Sequence, residues 1–148
     1  MGTLQVILLI LGANVAVWSL AFVRLRVQSA HMLEEARRSG EQLVISPATA
    51  NYQGWTRRFG MAKTIGRIAL TDCRIIFKRF LGRDITIHLE DVAEVSDTAH
   101  LGRVGHAFGN YLSLKLRDQT EVLFLVGDQA RWIAEIRSRI GQEDRSGV

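Results

Sequence analysis

Gly66-Arg67-Ile68-Ala69-Leu70-Thr71-Asp72-Cys73-Arg74-Ile75-Ile76-Phe77 is the stretch on which the fold turns. Thr71 and Asp72 are good turn formers, and each flanking run carries apolar positions that need burial, so the stretch reads as a β-hairpin. Arg74 falls beside the turn, where its head group is expected to stay solvated. Cys73 reads as an ordinary small residue; as the single cysteine of the chain it excludes an internal disulfide and a Cys-rich zinc site.

Outward from this hairpin the two-residue period persists. Leu112, Leu114 and Leu116 alternate with Ser113, Lys115 and Arg117, and Ile85, Ile87 and Leu89 alternate with Thr86, His88 and Glu90. Strands are expected at Gln42–Tyr52, Ala62–Thr71, Arg74–Phe80, Ile85–Leu89, Val92–Asp97, Leu112–Leu116 and Glu121–Val126. Pro47 requires the first to lie at an edge or to be bulged there. Leu81-Gly82-Arg83 and Arg117-Asp118-Gln119 are short turns that suit antiparallel neighbours, and residues 103–110 form a longer loop. A helix follows from about Asp128 to Ile140. It places Trp132, Ile133, Ile136 and Ile140 on one face and Arg131, Glu135 and Arg139 on the other, with Asp128 as its cap and Gly141 as its stop.

Seven strands and one amphipathic helix make a mainly β domain, a small sandwich or barrel plugged at one end by the helix. The hairpin resembles the "G-x-hydrophobic-x-Leu-Thr-x-x-Arg-hydrophobic-x-Phe" hairpin of GRAM and bacterial pleckstrin-homology-like (PH-like) domains. Asp84 to Val95 is similar to the next pair of strands in those domains, and Trp132 sits where their terminal helix often carries an aromatic. The resemblance covers about Glu41 to Ile140. It implies a seven-stranded antiparallel PH-like barrel capped by a C-terminal helix, used for binding, often at membranes, and without an active site.

Leu4 to Val23 is a run of 20 residues without a charge, and as a helix it would rise about 30 Å, the thickness of a bilayer core. A cleaved signal peptide would need a basic stretch before a shorter apolar run. Gly2 does not begin a myristoylation motif, because Val6 stands where Ser or Thr is required. The run therefore reads as an uncleaved single-pass anchor. Arg24, Arg26, Arg37 and Arg38 follow it and no Lys or Arg precedes it, which predicts an inner-membrane protein with the N-terminus outside and the C-terminal domain cytoplasmic. The expected organisation is an anchor over residues 1–23, a juxtamembrane helix or linker over 24–40, the PH-like domain over 41–141 and a polar tail over 142–148. Residues 24–39 either continue the anchor helix or form a second short one.

The 148 residues carry 19 Lys and Arg against 15 Asp and Glu, with 47% hydrophobic residues, which excludes a disordered chain and a multidomain enzyme. The charge is unevenly spread. Tyr52 to Arg83 holds eight basic residues against Asp72 alone, whereas Asp84 to His100 holds five acids and no Lys or Arg. This polarity favours an anionic inner leaflet over nucleic acid as the counter-charge. Trp55, Arg57, Arg58 and Phe59, with Lys63 and Arg67, are the candidate lipid- or partner-binding residues; Trp55 and Phe59 either meet the membrane interface or fold back over the core. The phosphoinositide-binding members of the family carry a Lys followed by Arg-x-Arg in this hairpin. Lys63 and Arg67 match, but the Arg-x-Arg is absent, which removes the basis for specific inositol-phosphate recognition.

No metal, cofactor or catalytic residue is expected. His100 and His106 with Asp97 fit no zinc spacing, and the acids Glu90 and Asp91, adjacent on a strand end, point to opposite faces. The function expected is a non-enzymatic adaptor whose domain docks a membrane protein or the anionic lipid surface. The alternative is a self-associating structural or assembly subunit, a homo-oligomer within a membrane complex.

Overall fold

The computed structural model describes residues 2–54, 56–98 and 111–143. Helix α1 spans Thr3–Arg38 and strands β1 to β7 span Leu43–Tyr52, Thr64–Thr71, Arg74–Arg79, Ile85–His88, Val92–Thr98, Tyr111–Leu116 and Glu121–Val126, followed by helix α2 over Gln129–Glu143. A single 3-10 turn, Leu89–Asp91, joins β4 to β5. The strands form one antiparallel sheet in the order β4-β3-β2-β1-β7-β6-β5, curled around a shared core and closed by α2. This is the seven-stranded, helix-capped architecture expected of the sequence.

The sequence explains the hairpin at its centre. The buried Thr71 hydroxyl accepts the backbone N–H of Arg74 at 3.0 Å and donates to the Arg74 carbonyl at 3.1 Å, so one side chain closes the β2–β3 turn. Gly66 sits where the two strands press together: a Cβ there would land on the Lys78 carbonyl and within 2.9 Å of the Phe77 ring. In β1, the pairing register with β2 shifts on both sides of Ile45, and β7 pairs only with Ala50 to Tyr52. Pro47 therefore lies in a bulged segment whose other flank is unpaired, where its missing N–H costs no ladder bond.

Inward-facing residues build the core around three aromatics, Tyr52, Phe77 and Phe124, whose ring centroids lie 5.2 to 6.4 Å apart. Trp132 and Ile136 of α2 are buried against this cluster, with Ile133 and Ile140 packed at its margin. Arg139 and Glu135 pair at 2.6 Å on the charged face. The carbonyl of Asp128 accepts the first helical N–H groups, and the helix continues past Gly141 to Glu143.

Helix α1 is a single uninterrupted element of 36 residues, so residues 24–38 continue the apolar helix. None of its apolar half is buried by the barrel among the described residues. Its second half lies on the outer face of the sheet, where Met32 packs against Ala69 and Ile76, with Leu43 at the edge. That contact explains two runs in which every residue is apolar, Ile68-Ala69-Leu70 and Ile75-Ile76-Phe77: both faces of β2 and β3 are covered there.

Candidate functional site

The direction of α1 relative to the sheet decides which end of the barrel adjoins the apolar segment. Near the C-terminal end of α1, Arg74 at the start of β3 bonds Glu41 at 2.9 Å and lies 3.4 Å from Glu35. Further back along the helix, Gln28 donates to the Arg79 carbonyl at 2.6 Å, and the Arg24 guanidinium lies 5.3 Å from the centre of the Phe80 ring. Strand β3 thus runs antiparallel to α1, and the β3–β4 turn at Leu81-Gly82 is carried back towards Val23. The β1–β2 loop lies at the same end, because β1 and β2 are antiparallel and Phe80 bonds the Ile65 carbonyl at 2.9 Å.

Polar contacts hold α1 in this direction. Lys78 bridges Glu35 at 2.8 Å and Asp84 at 3.2 Å. Burial alone would lower the Lys78 pKa, but these two carboxylates outweigh it and raise it. Burial likewise pushes Glu41 up, yet the hydrogen bonds from Arg74 and Thr71 win and leave its carboxyl below the ordinary value. Arg74 is therefore not the solvated residue expected from its place beside the turn. Its side chain is only 14% exposed, because the end of α1 and the segment into β1 fold over it and supply its carboxylates.

The loop that follows β1 is built on Tyr52. The Tyr52 hydroxyl donates to the Gly60 carbonyl at 2.7 Å and shares a 2.8 Å hydrogen bond with Thr56, whose hydroxyl also accepts the Phe59 N–H at 3.1 Å. Arg79 lies over the Tyr52 ring at 4.9 Å and donates to the Phe59 carbonyl, tying the loop to β3. Gly54, at φ +77°, is required at the loop entrance, since a Cβ would collide with the Met61 carbonyl.

Of the six residues singled out in the sequence, Trp55 lies outside the described residues. Arg57 and Lys63 are exposed on the loop. Arg58 stacks on Phe59 at 5.1 Å and bonds Asp118 in the β6–β7 turn at 2.8 Å, with Asp91 at 3.8 Å. Asp118 is held below the usual carboxylate range first by the backbone N–H and hydroxyl of Thr120 and then by Arg58. Phe59 is half-buried against the core, the covering alternative of the two left open for it. Arg67 points elsewhere: on the outer face of β2 its guanidinium donates to Ser29 of α1 at 2.8 Å and to Thr49 at 2.9 Å. Arg57, Arg58, Phe59 and Lys63 thus share the β1–β2 loop, with Arg58 against Phe59, while Arg67 belongs to the helix contact.

Residues not named from the sequence as binding candidates complete this end. Met61 and Leu81 are 57% and 70% exposed, Arg83 is exposed just beyond Leu81, and Arg24 is exposed on α1 where it meets the Phe80 ring. The only available signal was an apolar residue within a turn, as in Leu81-Gly82-Arg83. The histidines His100 and His106 lie outside the described residues. Among the described residues, Glu41, Asp72 and Cys73 bring donor atoms within 4.8 Å of one another, but Glu41 is engaged by Arg74 and Asp72 accepts the Gln42 N–H at 3.2 Å. Partial desolvation, with the Glu41 and Asp72 carboxylates, also pushes the thiol of the exposed Cys73 up, against thiolate formation.

No family model matches the chain, and no curated protein matches it. Among solved structures, the C-terminal domain of an unknown protein from Leishmania infantum superposes with a TM-score of 0.54 at 13% identity, covering 77% of this chain and 97% of that one. At this identity the likeness concerns the fold. The N-terminal PH domain of Vps36 gives a TM-score of 0.48 at 19% identity over 70% of this chain and 82% of its own.

Proposed function

We propose that this chain is a membrane-anchored, non-enzymatic binding module whose PH-like domain works against the cytoplasmic leaflet. It docks there on the anionic lipid surface or on a membrane protein beside it. The observation that carries this reading is the docking of α1: one rigid helix links an exposed apolar segment of mean hydropathy 2.4 to the outer face of the sheet. The same helix turns the basic loop end of the barrel towards that segment. Arg57 and Lys63 then stand near the leaflet, and each such cation near an anionic surface contributes about 1 kcal/mol.

The test uses the 148-residue chain with a reporter fused after Val148. The chain should resist alkaline extraction from membranes, and the reporter should be active on the cytoplasmic side. Release by alkali, or activity on the opposite side, would overturn the reading. In reconstituted vesicles, Arg57→Glu combined with Lys63→Glu should raise protease access to the β1–β2 loop when the lipid is anionic and leave it unchanged when the lipid is zwitterionic.

A further inference from the structure

Outside α1, the large hydrophobic residues exposed among the described residues are Met61, Ile65 and Leu81. All three lie at one end of the barrel, in the β1–β2 loop, at the start of β2 and at the β3–β4 tip. Among the described residues, the opposite end, around Asp72, Cys73 and His88, exposes none. Scattered single apolar residues are ordinary on a protein surface, but segregation to the end that adjoins an apolar helix is not.

The height of this end follows from the helix. Arg24 and Gln28 lie one and five residues beyond Val23, which at the helical rise is about 1.5 and 7.5 Å past the last apolar residue. The headgroup layer on each side of the hydrocarbon core is about 5 to 8 Å deep. Phe80 and Arg79 are held against Arg24 and Gln28 respectively, so they fall within that layer when Leu4–Val23 spans the core. Leu81 is one residue further along a chain heading towards the membrane. Arg24 on α1, Arg57 and Lys63 in the β1–β2 loop and Arg83 after the β3–β4 tip are exposed and take part in no ion pair among the described residues.

We infer that Leu81 and Met61 form a second apolar foot that inserts into the interfacial layer of the leaflet the α1 anchor leaves, with these cations on lipid phosphates. This inference rests on the anchoring reading above and adds a contact to it. The occupant is lipid, because the patch is continuous in height with the end of the apolar helix and the same loops are basic. The contact needs no headgroup specificity. With the anchor and the foot both engaged, the barrel is fixed at two points and cannot swing about the helix.

The experiment labels single cysteines with an environment-sensitive fluorophore in the 148-residue chain, reconstituted in vesicles of mixed phosphatidylcholine and phosphatidylglycerol. Native Cys73, exposed at the far end, is the control. Leu81→Cys and Met61→Cys are each made in a Cys73→Ser background. The labels at 61 and 81 should shift to the blue and lose emission when lipids spin-labelled near the headgroup are added, while the label at 73 should do neither. If the chain stays with the lipid after alkaline extraction but 61 and 81 behave like 73, the foot is refuted and the anchor stands. Release of the chain by alkali removes the anchor and the foot together. A blue shift at 61 and 81 without quenching by the spin-labelled lipid overturns the proposal in favour of a protein on this surface.

Discussion

Replacing Met32 by alanine should detach the domain from its helix. The Met32 side chain is fully buried between α1 and the sheet, against Ala69 and Ile76. Truncating a buried methionine to alanine costs about 2 to 5 kcal/mol, and the low end applies here because the small cluster can partly collapse. In a unit of about 100 residues each kcal/mol lowers Tm by about 4 to 8 °C, so a loss near 2 kcal/mol should lower it by about 8 to 16 °C. Leu33, next in sequence but 47% exposed, is the control, and its alanine variant should stay within about 0.5 kcal/mol of wild type. Thermal unfolding in detergent, followed by near-ultraviolet circular dichroism, reads the stability. Trypsin cleavage at Arg24, Arg26, Arg37 and Arg38 reads the docking. If Met32→Ala lowers neither Tm nor protease resistance relative to Leu33→Ala, α1 does not dock on the sheet in solution, and the orientation argument falls with it.

Trp132→Ala should cost about 3 to 5 kcal/mol, since the indole is 2% exposed within the core; an unchanged urea midpoint would show that α2 does not plug the barrel. Gly66→Ala should destabilise by about 1 to 3 kcal/mol through overpacking, because its methyl group would press on the Lys78 carbonyl and the Phe77 ring, and equilibrium urea unfolding measures it. Glu41 has a folded pKa below its ordinary 4.5, so its contribution to stability is complete above that value and is lost as the pH falls through the lowered one. Melting curves from pH 6 to pH 3 should therefore fall less steeply for Glu41→Gln than for wild type, with the variant less stable at neutral pH because Arg74 keeps its burial and loses a charged partner.

The strands, the terminal helix and the apolar segment were legible because each rests on a local period. Alternation in Leu112 to Leu116, the helical stripe of Trp132, Ile133, Ile136 and Ile140, and the uncharged run from Leu4 to Val23 are properties of neighbours in the chain. Phe59 illustrates a limit, since an aromatic in a basic loop suits an interface and a core cover equally until the rest of the core is assembled around it. Arg67 and Arg74 illustrate another. Both read as surface cations, and both are taken up by groups 33 to 38 residues away, in Glu41 and Ser29.

Composition and periodicity alone determined a seven-stranded domain closed by a helix and preceded by a segment able to cross a bilayer. Which face of the sheet receives the first helix, and so which loops stand next to the apolar segment, was decided by the tertiary structure. The apolar runs Ile68-Ala69-Leu70 and Ile75-Ile76-Phe77 called for burial, which in the structure comes from cover on both sides of β2 and β3. They did not say what would supply it. That depended on Met32 meeting Ala69 and Ile76, and on Glu35, Gln28 and Arg24 meeting β3 in reverse order. These contacts span 37 to 56 residues of sequence, a separation at which no local pattern carries information about direction.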